Sequence, residues 1–349
     1  MPLSSFIESH GEGSVLLAGG ALIGALFGFL SQRSGFCLRA AVLEFWHGKL
    51  GGKLAVWLLA FFSALASVQA LALSGWLDVA ATRQIAGQGS LSGALVGGLL
   101  LGVGMVLARG CPSRLLVLCA TGNLRALLTG LLFAVTAQAS LSGMLAPVRL
   151  AISNWWTIEG GSSRHLLSAF GLGPKAGLAF AAFGLLFGAY LTMRNRLRPT
   201  LWLAAAGCGL MIAAAWGFSA EVARNSFDVV PVQGLTFSGP SAEWLMRLLS
   251  TPEKPPSFDS GMLPGVFIGA FLAALLGCEL ELVGFQSGQH MRRYLVGGPL
   301  MGFGSMLAGG CAVGAGLTGG ALFALTAWLA LLGMWLGAGL TDRLVDRSA

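Results

Sequence analysis

Gly97–Cys111 reads GGLLLGVGMVLARGC, and Gly297–Cys311 reads GGPLMGFGSMLAGGC. Nine of the fifteen positions are identical at a constant offset of 200, without a gap. The shared residues include the glycines at 102/302 and 104/304, the Leu-Ala pair at 107–108/307–308 and the closing Gly-Cys. Glycine richness gives a few such matches by chance; nine in register indicate a duplicated chain. In both copies an apolar run breaks off at a glycine and a cysteine. Short, glycine-interrupted segments at corresponding positions of two halves point to the binding site of a transporter.

Around these stretches the 349-residue chain is 55% hydrophobic and only 10% charged, with a mean hydropathy of +0.78. A helix needs about 20 apolar residues to cross the hydrocarbon core. Alternating barrel strands are absent from the pattern. The reading is an all-α polytopic membrane protein of about nine transmembrane helices plus short re-entrant helices. The expected spans are 14–32, 53–75, 92–108, 124–140, 176–193, 201–218, 263–280, 296–308 and 321–340. Of these, 92–108, 124–140 and 296–308 are too short to cross comfortably alone. The 53 glycines suit close helix packing in lipid. Trp76, Trp155, Trp156 and Trp244 lie near segment ends, as an interfacial belt requires. The N-terminus MPLSSFIESHGEGS has no positive region of the kind that opens a signal peptide.

Other classes lose support. The net charge of +7 comes with only two short basic clusters, Arg194/Arg196/Arg198 and Arg292/Arg293, and both flank apolar runs. Membrane topology explains them better than nucleic acid. The six cysteines form no CxxC and no Cys/His set, so neither a metal nor another cofactor is expected, and a disulfide framework is not either.

The whole chain, 1–349, reads as one membrane domain, with repeat one at 13–150, a linking span at 176–193 and repeat two at 200–349. Four spans per repeat return the chain to its starting side. The odd linking span then forces the second repeat to begin on the opposite side, so the repeats are inverted. Lys and Arg number fourteen on the side of 33–53, 109–125, 194–198, 292–293 and the C-terminus, against seven on the other. The positive-inside rule then puts the N-terminus outside and the C-terminus in the cytoplasm.

At the first break, Pro112 suits the first position of a new helix and leaves Cys111 at its cap. GGCAVGAGLTGG offers the same arrangement around Cys311, and RSGFCLRAAVLEF places Cys37 at a third helix start. TFSGPSAEW supplies a fourth, with Ser238 near the cap. Unpaired N–H groups and the helix dipole favour an anion at such ends. A thiol is a weak donor and a polarisable partner. It suits a soft sulfur atom better than the hard oxygens of sulfate, which makes thiosulfate the leading candidate. By topology, Cys311 is outermost, Cys111 central and Cys37 nearest the cytoplasm. Gly110 and Gly310 admit close backbone approach at the breaks. Arg109, Arg114 and Arg39 either attract the anion or mark the positive-inside edge. Cys119, Cys208 and Cys278 read as small buried hydrophobes. Glu279, Glu281 and His290 read as interfacial, and Asn123 as a capping residue. Two other classes remain: a membrane thiol–disulfide oxidoreductase, for which the nearest pair in sequence is Cys111 and Cys119, and a soft-metal channel, kept open by Met105, Met301 and Met306.

At SGFCLRA, ARGCPSR, TFSGPSAEW and GGPLMGFGSMLAGGCAVGAGLTGG the chain resembles the YeeE/YedE family of sulfur-compound membrane transporters. The resemblance covers nearly the whole chain, and the last motif is the most specific. It implies an inverted-repeat helical fold in the bacterial inner membrane and a transporter rather than an enzyme. It implies uptake of thiosulfate or a related sulfur or selenium compound, with pathway cysteines at Cys37, Cys111 and Cys311. It also implies a small soluble sulfur-carrier protein as a partner on the cytoplasmic side; no such domain is expected within this sequence.

Overall fold

The computed structural model describes residues 11–226, 230–250, 255–284 and 288–346, and only the backbone of 288–290. The N-terminal leader question and the side chain of His290 therefore lie outside the described residues. The longer helices are α1 Glu12–Ser34, α2 Leu38–Trp46, α3 Gly52–Leu73, α4 Leu91–Leu107, α5 Pro112–Ala120, α6 Leu124–Ser142 and α7 Ala146–Ser153. There follow α8 Pro174–Arg194, α9 Pro199–Asn225, α10 Ser238–Leu249, α11 Phe258–Leu276, α12 Gly288–Leu307 and α13 Leu325–Thr341. A π-helical segment, Ala312–Gly319, lies between α12 and α13. Among the described residues the only sheet is a two-residue antiparallel pair, Gly89–Ser90 with Thr157–Ile158. Nine of the described helical stretches are long and apolar enough to span a bilayer, so the chain is an all-α polytopic membrane protein.

Local chemistry sets the helix ends. The Ser90 side chain accepts from the Gly93 N–H at 2.8 Å, and Asn123 from Ala126 at 3.0 Å, as its position after Thr-Gly led us to expect. Ser257 and Ser260 bond reciprocally to open α11. Prolines occupy the first turn of α5, α8 and α9. Gly35, at φ 63°, closes α1. Two spans are longer than expected. The segment at 124–140 runs to Ser142, giving 19 residues, and the one at 296–308 begins at Gly288, giving 20. Hydropathy trimmed the latter because Arg292 and Arg293 lie inside the helix. Only α4, at 17 residues, stays short, and α5 continues it.

Glycines decide the packing. Gly20, Gly24 and Gly28 of α1 face the backbone carbonyls of Phe258, Met262 and Val266 in α11. In return, Gly261, Gly265 and Gly269 face Leu17, Ala21 and Ala25. A Cβ at any of them would run into main-chain oxygen. The crossing of α4 with α12 is likewise reciprocal: Gly97 meets Gly304 and Ala308, while Gly297 meets Gly104 and Ala108. The pairings form a pattern: α1 packs on α11 and α9 on α3; α4 packs on α13 and α12 on α6; α2 touches α13 and α10 touches α6. The linking helix α8 leans on α3. Its other face exposes Phe183, Leu186 and Met193, as a lipid-facing helix does. Trp76, Trp155 and Trp156 are exposed near helix ends, whereas Trp244 is half-buried and donates to the Ser260 carbonyl.

Candidate functional site

Both breaks are built alike. The Ala108 N–H bonds to the Gly104 carbonyl and the Gly110 N–H to that of Met105; the second copy repeats this with Ala308 to Gly304 and Gly310 to Ser305. Such a close needs one left-handed residue. It is Gly309 (φ 76°) in the second copy and Arg109 (φ 53°) in the first. Arg109 therefore holds a conformation that glycine adopts more cheaply. Cys111 and Cys311 then become N-caps in extended conformation, and both are fully buried. The Cys111 sulfur is 3.3 Å from Ser113 Oγ, and the Cys311 sulfur accepts from the Gly314 N–H at 3.5 Å. After Cys111 the chain winds as an α-helix and after Cys311 as a π-helix, so the second copy is not an exact duplicate.

Cys37 caps α2. Its half-buried thiol meets that of Cys111, with the Arg114 and Arg39 charges close enough to act on it. Ser238 is the first residue of α10, buried, with its hydroxyl 3.5 Å from that of Thr236. Thr236 in turn lies against Gly314, in the segment that follows Cys311. The four helix starts named from sequence thus come together in pairs: Cys37 with Cys111, and Thr236–Ser238 with the Cys311 segment. The buried aromatics Phe36 and Phe237 precede Cys37 and Ser238, and Phe237 packs on Phe27 with ring centroids 5.8 Å apart. At the Cys37 end, Arg114 donates to Gln32 at 3.2 Å and Gln32 donates to Glu279 at 2.7 Å.

The glycines differ. A Cβ at Gly310 would lie 2.7 Å from the Ala315 nitrogen, whereas at Gly110 it would meet only the Leu115 side chain, at 3.2 Å. Close backbone approach is a requirement at Gly310 and not at Gly110. Among the other cysteines, Cys208 is buried beside Ser34, but Cys119 is only half-buried and Cys278 is exposed, at φ 53°. The expectation of a buried Cys278 is corrected, because α11 ends at Leu276, two residues before it.

Near Ser238 a cavity of about 430 Å³ opens. Its lining includes Thr236, Ser238, Gly309 and Gly314, together with Arg83, Arg149, Arg164 and Asp259. These charged residues are separated widely in sequence, and counting loop charges registered the arginines only as topology markers. Arg149 donates to the Ser140 carbonyl at 2.7 Å. Arg164 bonds the Gly87 carbonyl and, at 3.0 Å, the Thr326 hydroxyl. Burial pushes the Arg164 pKa down, yet a guanidinium keeps its proton throughout the physiological range. Burial also pushes the neighbouring His165 imidazole down, which suits its role as acceptor from the Ser168 N–H at 3.3 Å. The cavity is a cationic mouth lined by hydroxyls and amides, beside the second cysteine cap. It is suited to a small anion. Among the described residues there is no group of three or more His, Cys, Asp or Glu that could hold a metal ion.

A family model described as sulphur transport matches residues 33–340. The chain belongs to the sulphur transport family. The match runs from the end of α1 through nearly all of α13, so it takes in all four helix starts and both breaks. Members similar to this chain include the thiosulfate transporter TsuA of Escherichia coli (strain K12), 26% identical over 92% of each chain. TsuA of Spirochaeta thermophila is 28% identical over 90% of this chain and 96% of its own. A shorter stretch, 36% of this chain, is 37% identical to the probable transporter YedE of Escherichia coli (strain K12).

Proposed function

We propose that the chain takes up thiosulfate, or a close sulfur or selenium analogue, along a route from the arginine-lined cavity past Cys311 and Cys111 to Cys37. The observation that carries this reading is the meeting of the Cys37 and Cys111 thiols at two helix starts. Thiosulfate has one exposed sulfur and three hard oxygens. The sulfur finds polarisable thiols, and the oxygens find helix N–H groups and arginines. A thiol contact is weak, so the anion can leave each station as readily as it enters. Relatives named as thiosulfate transporters over nine-tenths of the chain support the same substrate.

The two halves are read as inverted repeats. The support is reciprocity, in that α1 packs on α11 as α9 packs on α3, and α4 on α13 as α12 on α6. The cavity side is read as periplasmic and the Arg39–Arg114 side as cytoplasmic, in a bacterial inner membrane, where a soluble sulfur carrier would receive the cargo. The test is growth of a sulfate-uptake-deficient bacterium on thiosulfate. The wild-type chain rescues growth, and Cys111→Ala or Cys311→Ala lowers uptake by about tenfold or more, equivalent to roughly 1.4 kcal/mol on the barrier. Full-rate rescue by both variants removes the cysteines from the mechanism. The Cys37–Cys111 contact also supplies the close pair that a membrane thiol–disulfide oxidoreductase needs. Titration of free thiols before and after turnover separates the two, because a transporter leaves the count unchanged.

A further inference from the structure

Asp259 is out of keeping with its surroundings. It is the only carboxylate among the residues lining the cationic cavity, where it shares the wall with Arg83, Arg149, Arg164 and Ser238. Its Oδ1 is sealed from the surface and has no hydrogen-bond partner among the described protein atoms. Placed in the second position of α11, it cannot withdraw from the cavity without unwinding the capping box at Ser257 and Ser260.

The charged groups around it are few. Arg83, on the short helix Arg83–Ala86, and Glu243 of α10 act on it directly. Glu243 is already paired with Arg247 at 3.1 Å. Of the other helices packed on α11, α1 has Glu12 at its start and Arg33 at its far end, beside Gly277. The Arg114 of α5 is engaged with Gln32, also at the far end.

An ionised Asp259 sets a negative charge in the path of an anion. A protonated Asp259 removes that charge and presents an O–H that can donate to an anion oxygen. We propose that Asp259 links anion entry to proton binding, so that the anion and one proton occupy the cavity together. This rests on the transport reading above and adds to it a proton-dependent substrate affinity. Linkage is reciprocal: protonation strengthens anion binding, and the anion draws in a proton.

The full-length protein in liposomes tests this with radiolabelled thiosulfate at sub-saturating concentration, between about pH 5 and pH 8. Wild-type uptake is expected to rise as the cavity-side pH falls, by up to about tenfold per pH unit for one linked proton. Asp259→Asn, which imitates the neutral acid, is expected to transport with no such slope, while Glu243→Gln keeps it. A wild-type slope retained in Asp259→Asn overturns the proposal. Calorimetry on the wild-type protein in two buffers of different ionisation enthalpy decides independently of whether the variant folds. Proton uptake on thiosulfate binding supports the linkage, and binding without it overturns it. Vesicles that take up no thiosulfate at any pH overturn the transport reading and this inference together, whereas pH-independent uptake overturns this inference alone.

Discussion

Single residues carry the asymmetry between the two breaks. Where the second copy has Gly309 in the left-handed region, the first has Arg109. Where Gly310 abuts the Ala315 nitrogen, Gly110 faces only a leucine side chain. Gly310→Ala is therefore expected to displace the Cys311 turn and reduce uptake severalfold, at a cost of about 1–3 kcal/mol from overpacking. Gly110→Ala leaves uptake within about twofold, because the Leu115 side chain can rotate away. Uptake assays on the two variants, at matched membrane levels, read the difference; equal losses would contradict it. Sequence made the cysteine caps legible, since a cysteine before Pro112 or after a glycine pair has few other places to go. It did not reveal Asp259. A lone carboxylate at a helix start looks like an ordinary first-turn acid until the fold brings three distant arginines around it.

Among the elements, the α1–α11 contact is the most exacting. Six glycines interlock along it, each facing a carbonyl of the other helix. In lipid, helices gain no hydrophobic benefit from meeting, so close van der Waals approach has to hold them. Gly24→Leu or Gly265→Leu is expected to push the helices apart and lower the unfolding temperature by several degrees or prevent accumulation. Gly217→Leu, where a Cβ finds only Leu71 at 3.6 Å, is expected to be tolerated. Thermal unfolding in detergent, read alongside membrane abundance, checks the contrast. The number and type of spans were legible because hydropathy follows bilayer thickness. Their partners were not, because a glycine marks a close approach without saying to what. The ends at 288 and 142 were missed for a related reason: arginines and serines lower a window's hydropathy even where the helix continues.

At the scale of the molecule, the two ends differ in charge and in thiol access. Cys278 is exposed at the end where Arg114, Gln32 and Glu279 form a chain, while Cys111, Cys208 and Cys311 are buried. With the orientation proposed above, a membrane-impermeant maleimide is expected to label Cys278 in inside-out vesicles and not in intact spheroplasts. Loss of that label in Cys278→Ser identifies the site, and labelling from the outside alone would reverse the topology. The pairing of α1 with α11 also bears on how the molecule is made. The first helix to leave the ribosome waits for a companion more than two hundred residues downstream, and α4 waits almost as long for α12. Until then the early helices sit in the bilayer with unfilled glycine faces. A chain cut between the halves should therefore be cleared by membrane quality control, and co-expressing the missing half should rescue it.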